Sequence, residues 1–227
     1  MSRVDILRKI PLFAAVPDEE LAALADTLGK RVFGKGVIIF HKDSPGETTY
    51  IIESGQVRIF ALSESGQEIS VRVYGCGEVF GELSMLDGQP RSAGAITMEE
   101  THVLTMHRED FLRILERCPG MAQGIIATLA ARVRYTTQYA ETLAFLDVDG
   151  RVANRLLELA GKHGVTTEEG TRITLPLTQS ELASLVGATR ERVNKVLRAF
   201  RDQGLIRLDG YTITILDERG LRRRILY

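Results

Sequence analysis

Cysteine is scarce in this chain. Cys76 and Cys118 are the only two among 227 residues, too few and too far apart for a disulfide framework or a thiolate metal cluster. The four histidines, His41, His102, His107 and His163, show no ligand spacing such as His-x-x-x-His. No nucleophile–base pair, metal-ligand cluster or phosphate-cradling P-loop is visible, so no enzyme is expected, and no metal, haem or iron–sulfur cofactor. Long hydrophobic runs are missing too. No stretch of 18 apolar residues exists, which removes a membrane-spanning helix. The N-terminal MSRVDILRKIPLF breaks its apolar residues with charges and lacks the continuous apolar core of a signal peptide; a cytoplasmic location is expected. An excess of positive charge is also lacking. The chain carries 29 basic and 30 acidic residues, a net of −1, which looks wrong for a partner of nucleic acid.

The average hides an asymmetry. From Asp147 onward there are 14 Lys and Arg against 11 Asp and Glu, a net of +3, which leaves −4 for the preceding part. With 44% hydrophobic and 26% charged residues, the length accommodates two domains with ordinary cores. The texture of the sequence changes where the charge does.

Residues 2 to 30 read as one or two short helices, the second opened by Pro17-Asp18-Glu19-Glu20 and carrying Leu21, Leu24, Ala25 and Leu28 at helical spacing. From Val32 to His107, β-rich runs (VIIFH, YIIES, VRIFAL, ISVRVY, SAGAIT, HVLTMH) alternate with turn clusters such as Asp43-Ser44-Pro45-Gly46, Ser65-Gly66 and Gly75-Cys76-Gly77. Six or seven strands at this pitch predict a sandwich, barrel or jelly roll. The chain turns helical after Glu109, and Pro119 suits the first turn of a long helix reaching about Leu146. Along it Ala122, Ile126, Leu129, Val133, Thr136, Ala140 and Leu143 repeat at alternating spacings of four and three. A seam that narrow predicts self-association into a homodimer. Thr136, beside Thr137, is its one polar residue, and a buried polar group there needs a partner.

Phe145 to Gly150 breaks the pattern, with Asp147 or Asp149 placed to cap a further helix running to about His163. Gly164 to Gly170 reads as a loop and Thr171 to Leu175 as a short strand. Thr178-Gln179-Ser180-Glu181 is a capping box that opens a helix with Leu182, Ala183, Leu185 and Val186 inward. Gly187-Ala188-Thr189 forms a turn, and a second helix from Arg190 to about Gly204 carries Val193, Val196, Leu197 and Phe200 inward. Two helices joined by so tight a turn make a helix-turn-helix. The outward positions of the second helix, Arg190, Glu191, Arg192, Asn194, Lys195 and Arg198, suit base edges and phosphates, since Arg and Lys donate to guanine and a carboxylate accepts from cytosine. Leu205 to Leu208 and Tyr211 to Ile215, joined at Asp209-Gly210, form a hairpin placed as a wing. The tail Leu221-Arg222-Arg223-Arg224 is either a phosphate contact or simply solvated.

In the β-rich part, Phe80-Gly81-Glu82-Leu83-Ser84-Met85-Leu86 and Arg91-Ser92-Ala93 carry the chemistry. Gly81 permits close backbone approach, and the amides of Glu82 and Leu83 open a short helix toward an anion. Arg91 pairs a phosphate, Ser92 donates another bond, and Glu82, an acceptor when ionised, suits a ribose hydroxyl instead. The chemistry points to an anionic sugar-phosphate.

FGELSMLDGQPRSA resembles the phosphate-binding cassette of cyclic-nucleotide-binding domains. TQSELASLVGATRERVNKVLRAFRDQGLI resembles the DNA-binding unit of the catabolite activator (cyclic AMP receptor) branch of the CRP/FNR superfamily, and AFLDVDGRVANRLLELA that family's hinge and following helix. The resemblance implies that Gly81, Glu82, Leu83, Arg91 and Ser92 hold the ribose-phosphate of cAMP, and that Thr136 and Thr137 recognise adenine, one from each subunit. It implies a DNA-contacting set of Thr178, Gln179, Thr189, Arg190, Glu191, Arg192, Asn194, Lys195 and Arg198, with Arg190 and Glu191 as base readers and a palindromic TGTGA-like operator. Lys195 stands where the best-known members have Arg, and it lacks the planar fork that pairs a base bidentately. The loop 164–170 lies where family activators touch RNA polymerase. Neither the N-terminal cysteine cluster of the redox-sensing branch nor the haem ligands of the carbon-monoxide-sensing branch is present.

The expected architecture is α+β: an N-terminal β-roll or jelly-roll domain over 1–118, a long dimerisation helix over 119–146 and a winged helix-turn-helix over 147–227. The expected function is cAMP-responsive regulation of transcription by a DNA-binding homodimer. Two alternatives stay open: a regulator of the same superfamily with another effector or none, and a cyclic-nucleotide-binding subunit acting on a protein.

Overall fold

In the computed structural model, which describes residues 2–64, 68–175 and 177–225, the chain divides into two compact units. One comprises Met1–Leu62 with Val71–Thr136, the other Ser63–Ser70 with Thr137–Tyr227. The expected turn at Ser65-Gly66 lies outside the described residues.

In the first unit, α1 (Arg3–Arg8) is opened by a capping box in which Ser2 and Asp5 satisfy each other's amides. A single 3₁₀ turn follows at Pro11–Phe13, and α2 (Asp18–Thr27) begins directly after Pro17. Helix stops sooner than the sequence suggests, because Gly29–Phe33 is already strand β1. Then come β2 (Ile38–Phe40), β3 (Thr48–Ser54), β4 (Val57–Leu62), β5 (Glu68–Tyr74, whose first three residues group with the second unit) and β6 (Val79–Phe80). The short helix α3 (Leu83–Asp87), β7 (Gly94–Thr97), β8 (Thr101–His107) and α4 (Arg108–Arg117) complete the roll. The strands form two four-stranded sheets, ordered β1-β8-β3-β6 and β2-β7-β4-β5. Among the described residues there are thus eight strands here rather than six or seven. The two unforeseen ones are β1, whose residues are nearly all exposed, and β6, only two residues long; neither carries an alternating pattern.

Between the sheets lie Tyr50, Ile52, Val57, Tyr74, Phe80, Ala95 and Val103. Phe40, Tyr50 and Phe80 stack, with centroids 5.1 to 6.1 Å apart. A second cluster joins Leu7, Leu12, Phe13 and Leu21 from the N-terminal helices to Met85, Leu104, Phe111, Ile114 and Met121. Each such side chain contributes about 1.5–3 kcal/mol when fully buried.

Helix α5 runs from Met121 to Phe145, so Pro119 stands just ahead of it rather than inside its first turn. Met121 and Ile125 are buried, whereas Ile126 and Val133, both on the expected seam, are each 65% exposed. Its residues up to Thr136 group with the first unit and those from Thr137 with the second.

In the second unit, Asp147 caps α6 (Val148–His163), its Oδ1 accepting from the Gly150 amide at 2.8 Å. The stretch read as a loop is a hairpin instead: β9 (Gly164–Thr167) pairs with β10 (Gly170–Ile173). Helices α7 (Gln179–Val186) and α8 (Arg190–Asp202) follow, then β11 (Ile206–Asp209), β12 (Thr212–Ile215) and α9 (Glu218–Arg223). Their sheet is ordered β11-β12-β10-β9, so the wing is stitched to the hairpin before the helix-turn-helix. Asp209 pairs with Thr212, which centres the wing turn on Gly210-Tyr211, one residue later than Asp209-Gly210. Gly210 has φ +61°, and glycine at the first central position is the type II′ choice, whose twist matches the strands. The C-terminal basic stretch is also not a loose tail: Leu221 is buried and Arg222 donates to Glu218 within α9.

Candidate ligand cleft and nucleic-acid interface

Gly81 closes β6 with φ +77°, a conformation that a side chain would strain. A Cβ placed there would lie 2.8 Å from Nη1 of Arg91, so glycine is also what lets that guanidinium approach. Arg91 is 4% exposed. Its Nη1 donates to the Gly81 carbonyl and its Nη2 to the Thr48 carbonyl, each at 2.5 Å. The guanidinium carbon lies 4.3 Å from the centre of the Phe40 ring, a cation–π contact. The backbone of Arg91 is clipped to the loop 43–44, donating to Ser44 and accepting from Asp43. Its Nε, however, is buried without a partner. Burial pulls the Arg91 guanidinium down from its ordinary value, and an incoming anion would oppose that shift.

Gly81, Leu83, Ser84, Arg91, Ser92 and Ala93 line one cleft, walled by Phe40, Ile59, Tyr74 and Phe80. Glu82, Tyr74 and Arg132 border a neighbouring cavity of about 250 Å³ that runs to Ile10, Leu12 and Ala131. Glu82 stands at the N-cap of α3, 1% exposed. Its Oε1 accepts from Nη1 of Arg132, while its Oε2 and the Nε of Arg132 are buried and unpartnered. Burial pushes the Glu82 carboxyl up, against the opposing charge of Arg132. Two spare donors and one spare acceptor therefore stand at adjoining cavities. That set suits a ligand with an acceptor-only anionic part and a donating hydroxyl.

Arg132 was not foreseen. It comes from α5, well outside the cassette, and lines both cavities. The trace it leaves in the sequence is a second stripe on α5 beside the seam: Met121, Ile125, Thr128, Arg132 and Tyr135 recur at helical spacing, all buried or half-buried. Thr136 and Thr137 are exposed on α5 and are not brought to the cleft within one chain.

The second unit presents a different chemistry. Thr178 caps α7 through a capping box, its Oγ1 accepting from the Glu181 amide at 3.1 Å while Glu181 accepts from the Thr178 amide at 2.7 Å. Gln179 follows, half-buried. Thr189 caps α8, its Oγ1 accepting from the Arg192 amide at 3.3 Å. Val193, Val196, Leu197 and Phe200 bury one face of α8, and Leu182, Leu185 and Val186 that of α7. This leaves Thr189, Arg190, Glu191, Arg192, Lys195 and Arg198 exposed, with Asn194 half-buried beside them. The side chains of Arg190, Glu191, Lys195 and Arg198 form no hydrogen bond or ion pair with another described residue, whereas Arg192 pairs with Asp149 at 3.2 Å. A helix whose exposed face ends in free guanidinium and carboxylate groups can read base edges.

Among the described residues no group of His, Cys, Asp and Glu is arranged to hold a metal ion, and no helix is long and apolar enough to cross a membrane.

Comparison with known proteins adds to the geometry. Residues 30–118 match the cyclic nucleotide-binding domain, and residues 150–224 match the Crp-like helix-turn-helix domain. The chain is 38% identical to a CRP-like cAMP-activated global transcriptional regulator of Mycobacterium tuberculosis, over 97% of this chain and 98% of the relative. It is 35% identical to the cyclic AMP receptor protein of Thermus thermophilus, over 90% of this chain and 92% of that protein. Among solved structures, the c-di-GMP responsive global regulator CLP of Xanthomonas campestris superposes with a TM-score of 0.76 at 26% identity, covering 87% of this chain and 96% of CLP.

Proposed function

The chain belongs to the CRP/FNR superfamily of transcription regulators, and from that premise we propose that it is a cAMP-responsive, sequence-specific DNA-binding regulator acting as a homodimer. The observation that carries this reading is the coexistence, in one chain, of unsatisfied phosphate and ribose partners in the first unit and a free reading helix in the second. Arg91 Nε and Arg132 Nε donate to the cyclic phosphate, supported by Ser92 and by the backbone of Gly81 and Leu83. The free oxygen of Glu82 accepts from the ribose hydroxyl. Phe40, Ile59, Tyr74 and Phe80 supply apolar walls. The exposed seam through Ile126 and Val133 is covered by α5 of a second copy, and Thr136 and Thr137 then recognise adenine across that interface.

Arg132 and the threonines share one helix, so gripping the ligand biases the position of α5 and, through it, the equilibrium between two dimer arrangements. Bound cAMP favours the arrangement in which two α8 helices stand one DNA turn apart, matching a palindromic TGTGA-like operator. Arg190 and Glu191 read bases there, while Thr178, Gln179, Thr189, Asn194, Lys195 and Arg198 fix the register. RNA polymerase is a further partner, through the hairpin of β9 and β10, in the cytoplasm.

One observation favours a second reading, in which the effector is another cyclic nucleotide: the c-di-GMP responsive CLP shares the fold. Calorimetric titration with cAMP, cGMP and c-di-GMP separates the two. Operator binding with and without the saturating ligand then tests the coupling, and each ligand must raise the affinity of the other by the same factor. Tight cAMP binding with an operator affinity that does not respond would overturn the gating.

A further inference from the structure

Arg192 occupies the first turn of α8, two residues beyond Arg190. Of the five exposed basic side chains on that helix, Arg190, Lys195 and Arg198 form no hydrogen bond or ion pair with another described residue, and Arg201 pairs with its own neighbour Asp202. Arg192 alone among them is held from another element, its Nη2 donating to Oδ1 of Asp149 at 3.2 Å. Asp149 reaches it from the first turn of α6, 43 positions earlier in the chain. The fold does not need this carboxylate as a cap, because Asp147 already caps α6. Nor does the pair do much for stability: its side chains are 47% and 38% exposed, and water screens such pairs. A chain that reads DNA with α8 has thus placed a negative charge against a cation of its own reading surface.

We infer that Asp149 is an electrostatic brake on DNA affinity, an internal competitor that occupies Arg192 until a DNA phosphate displaces it. The inference rests on α8 being the DNA-reading helix. Sequence-independent affinity comes from cations that neutralise phosphates and release their counterions. A guanidinium already neutralised by Asp149 releases none until that pair is broken. The displaced carboxylate then faces the polyanion unpaired, which is unfavourable. The pair therefore subtracts about one ionic contact per reading helix from binding to any duplex. Arg190 and Glu191, which have no such competitor, keep their part in choosing the sequence. The outcome is a regulator less readily held by bulk DNA.

The test is Asp149→Asn in the full chain with saturating cAMP, titrated against two 30-base-pair duplexes. One carries two TGTGA half-sites a helical turn apart, the other a scrambled sequence, both between 50 and 200 mM salt. The expected result is tighter binding to both duplexes, by about 3–10-fold at the low-salt end, with a salt slope steeper by about 0.9 per reading helix. Asp149→Ser must reproduce the gain, which guards against an effect peculiar to asparagine, and thermal melting confirms that each variant is folded. Arg192→Gln alone should cost less than about two-fold, and adding Asp149→Asn to it should recover little of the gain. Weaker binding by Asp149→Asn would overturn the inference, because Asp149 would then be aiming Arg192 at phosphate. An unchanged slope overturns it too, as does a full gain in the Arg192→Gln background, where Asp149 would act only as a distant charge. A native chain that binds neither duplex overturns the reading of α8 and the inference with it. A native chain that binds, with Asp149→Asn indistinguishable from it, overturns the inference alone.

Discussion

Arg91 supports two backbone carbonyls and keeps one donor in reserve, so it serves both fold and ligand. Arg91→Leu should abolish calorimetrically detectable cAMP binding and also lower the melting temperature, since the Gly81 and Thr48 carbonyls lose their donors at about 1–3 kcal/mol each. Retained affinity within ten-fold of native would show that the phosphate is held elsewhere. Glu82 gives a signature in pH. Burial raises its carboxyl above the ordinary 4.5 in the fold, so the native state binds that proton more tightly than the unfolded chain does. Its contribution to stability is complete below the ordinary value and is lost as pH rises through the raised one. Denaturation of ligand-free protein across this window should show that loss, and Glu82→Gln should remove it; an identical pH profile for the variant would count against the buried, charge-disfavouring environment. The partners of these residues were unequally legible. Gly81, Glu82 and Arg91 announce themselves by lying within a dozen positions of one another. Arg132 is one of two arginines, with Arg134, on a helix whose seam draws the eye to the other face, and only its place on the inward stripe sets it apart.

Helices α5 and α8 each leave a face exposed, with Ile126 and Val133 on the first and Arg190, Lys195 and Arg198 on the second. On α8, Arg190→Ala should cost about 1–3 kcal/mol per half-site against the operator and much less against random DNA; equal losses on both would reduce Arg190 to a phosphate contact. On α5, Val133→Glu places two like charges on the proposed seam and should shift the protein to a monomer in sedimentation experiments, with operator affinity falling alongside. Val133 is the better site for this than Leu129, which packs against the core of its own unit. The helix-turn-helix could be read almost residue by residue, because its capping box, tight turn and buried 3.6-residue stripes all point to the same local structure. The strands β6 and β9 could not. Val79–Phe80 is too short to show a period, and Gly-Val-Thr-Thr becomes a strand only because β10 offers it a ladder. The wing turn was displaced by one residue for a similar reason: the pairing of Asp209 with Thr212 is set by the register of two strands, not by the dipeptide between them.

At the scale of the whole molecule, the α+β plan was visible in the change from period-two runs to helical ones, and in the reversal of charge near Asp147. What stayed hidden is that the two compact units do not correspond to two uninterrupted lengths of chain. The segment Ser63–Ser70, from the β-rich half of the sequence, groups with the second unit. Within that unit the Ser70 hydroxyl lies 2.7 Å from that of Ser184 on α7, and Ser184 donates to Glu68 at 3.0 Å. This bears on how such a protein can be cut and recombined. A fragment beginning at Thr137 would retain every residue of the reading head yet leave Ser184, buried in the full chain, facing water where its two partners had been. Such a fragment should melt at a lower temperature than the same region in the full chain, and a fragment that melts no lower would show that segment to be dispensable. Grafting this reading head onto a foreign sensor would then require carrying eight residues from the middle of the donor's own sensor along with it. The two units are interleaved along the gene.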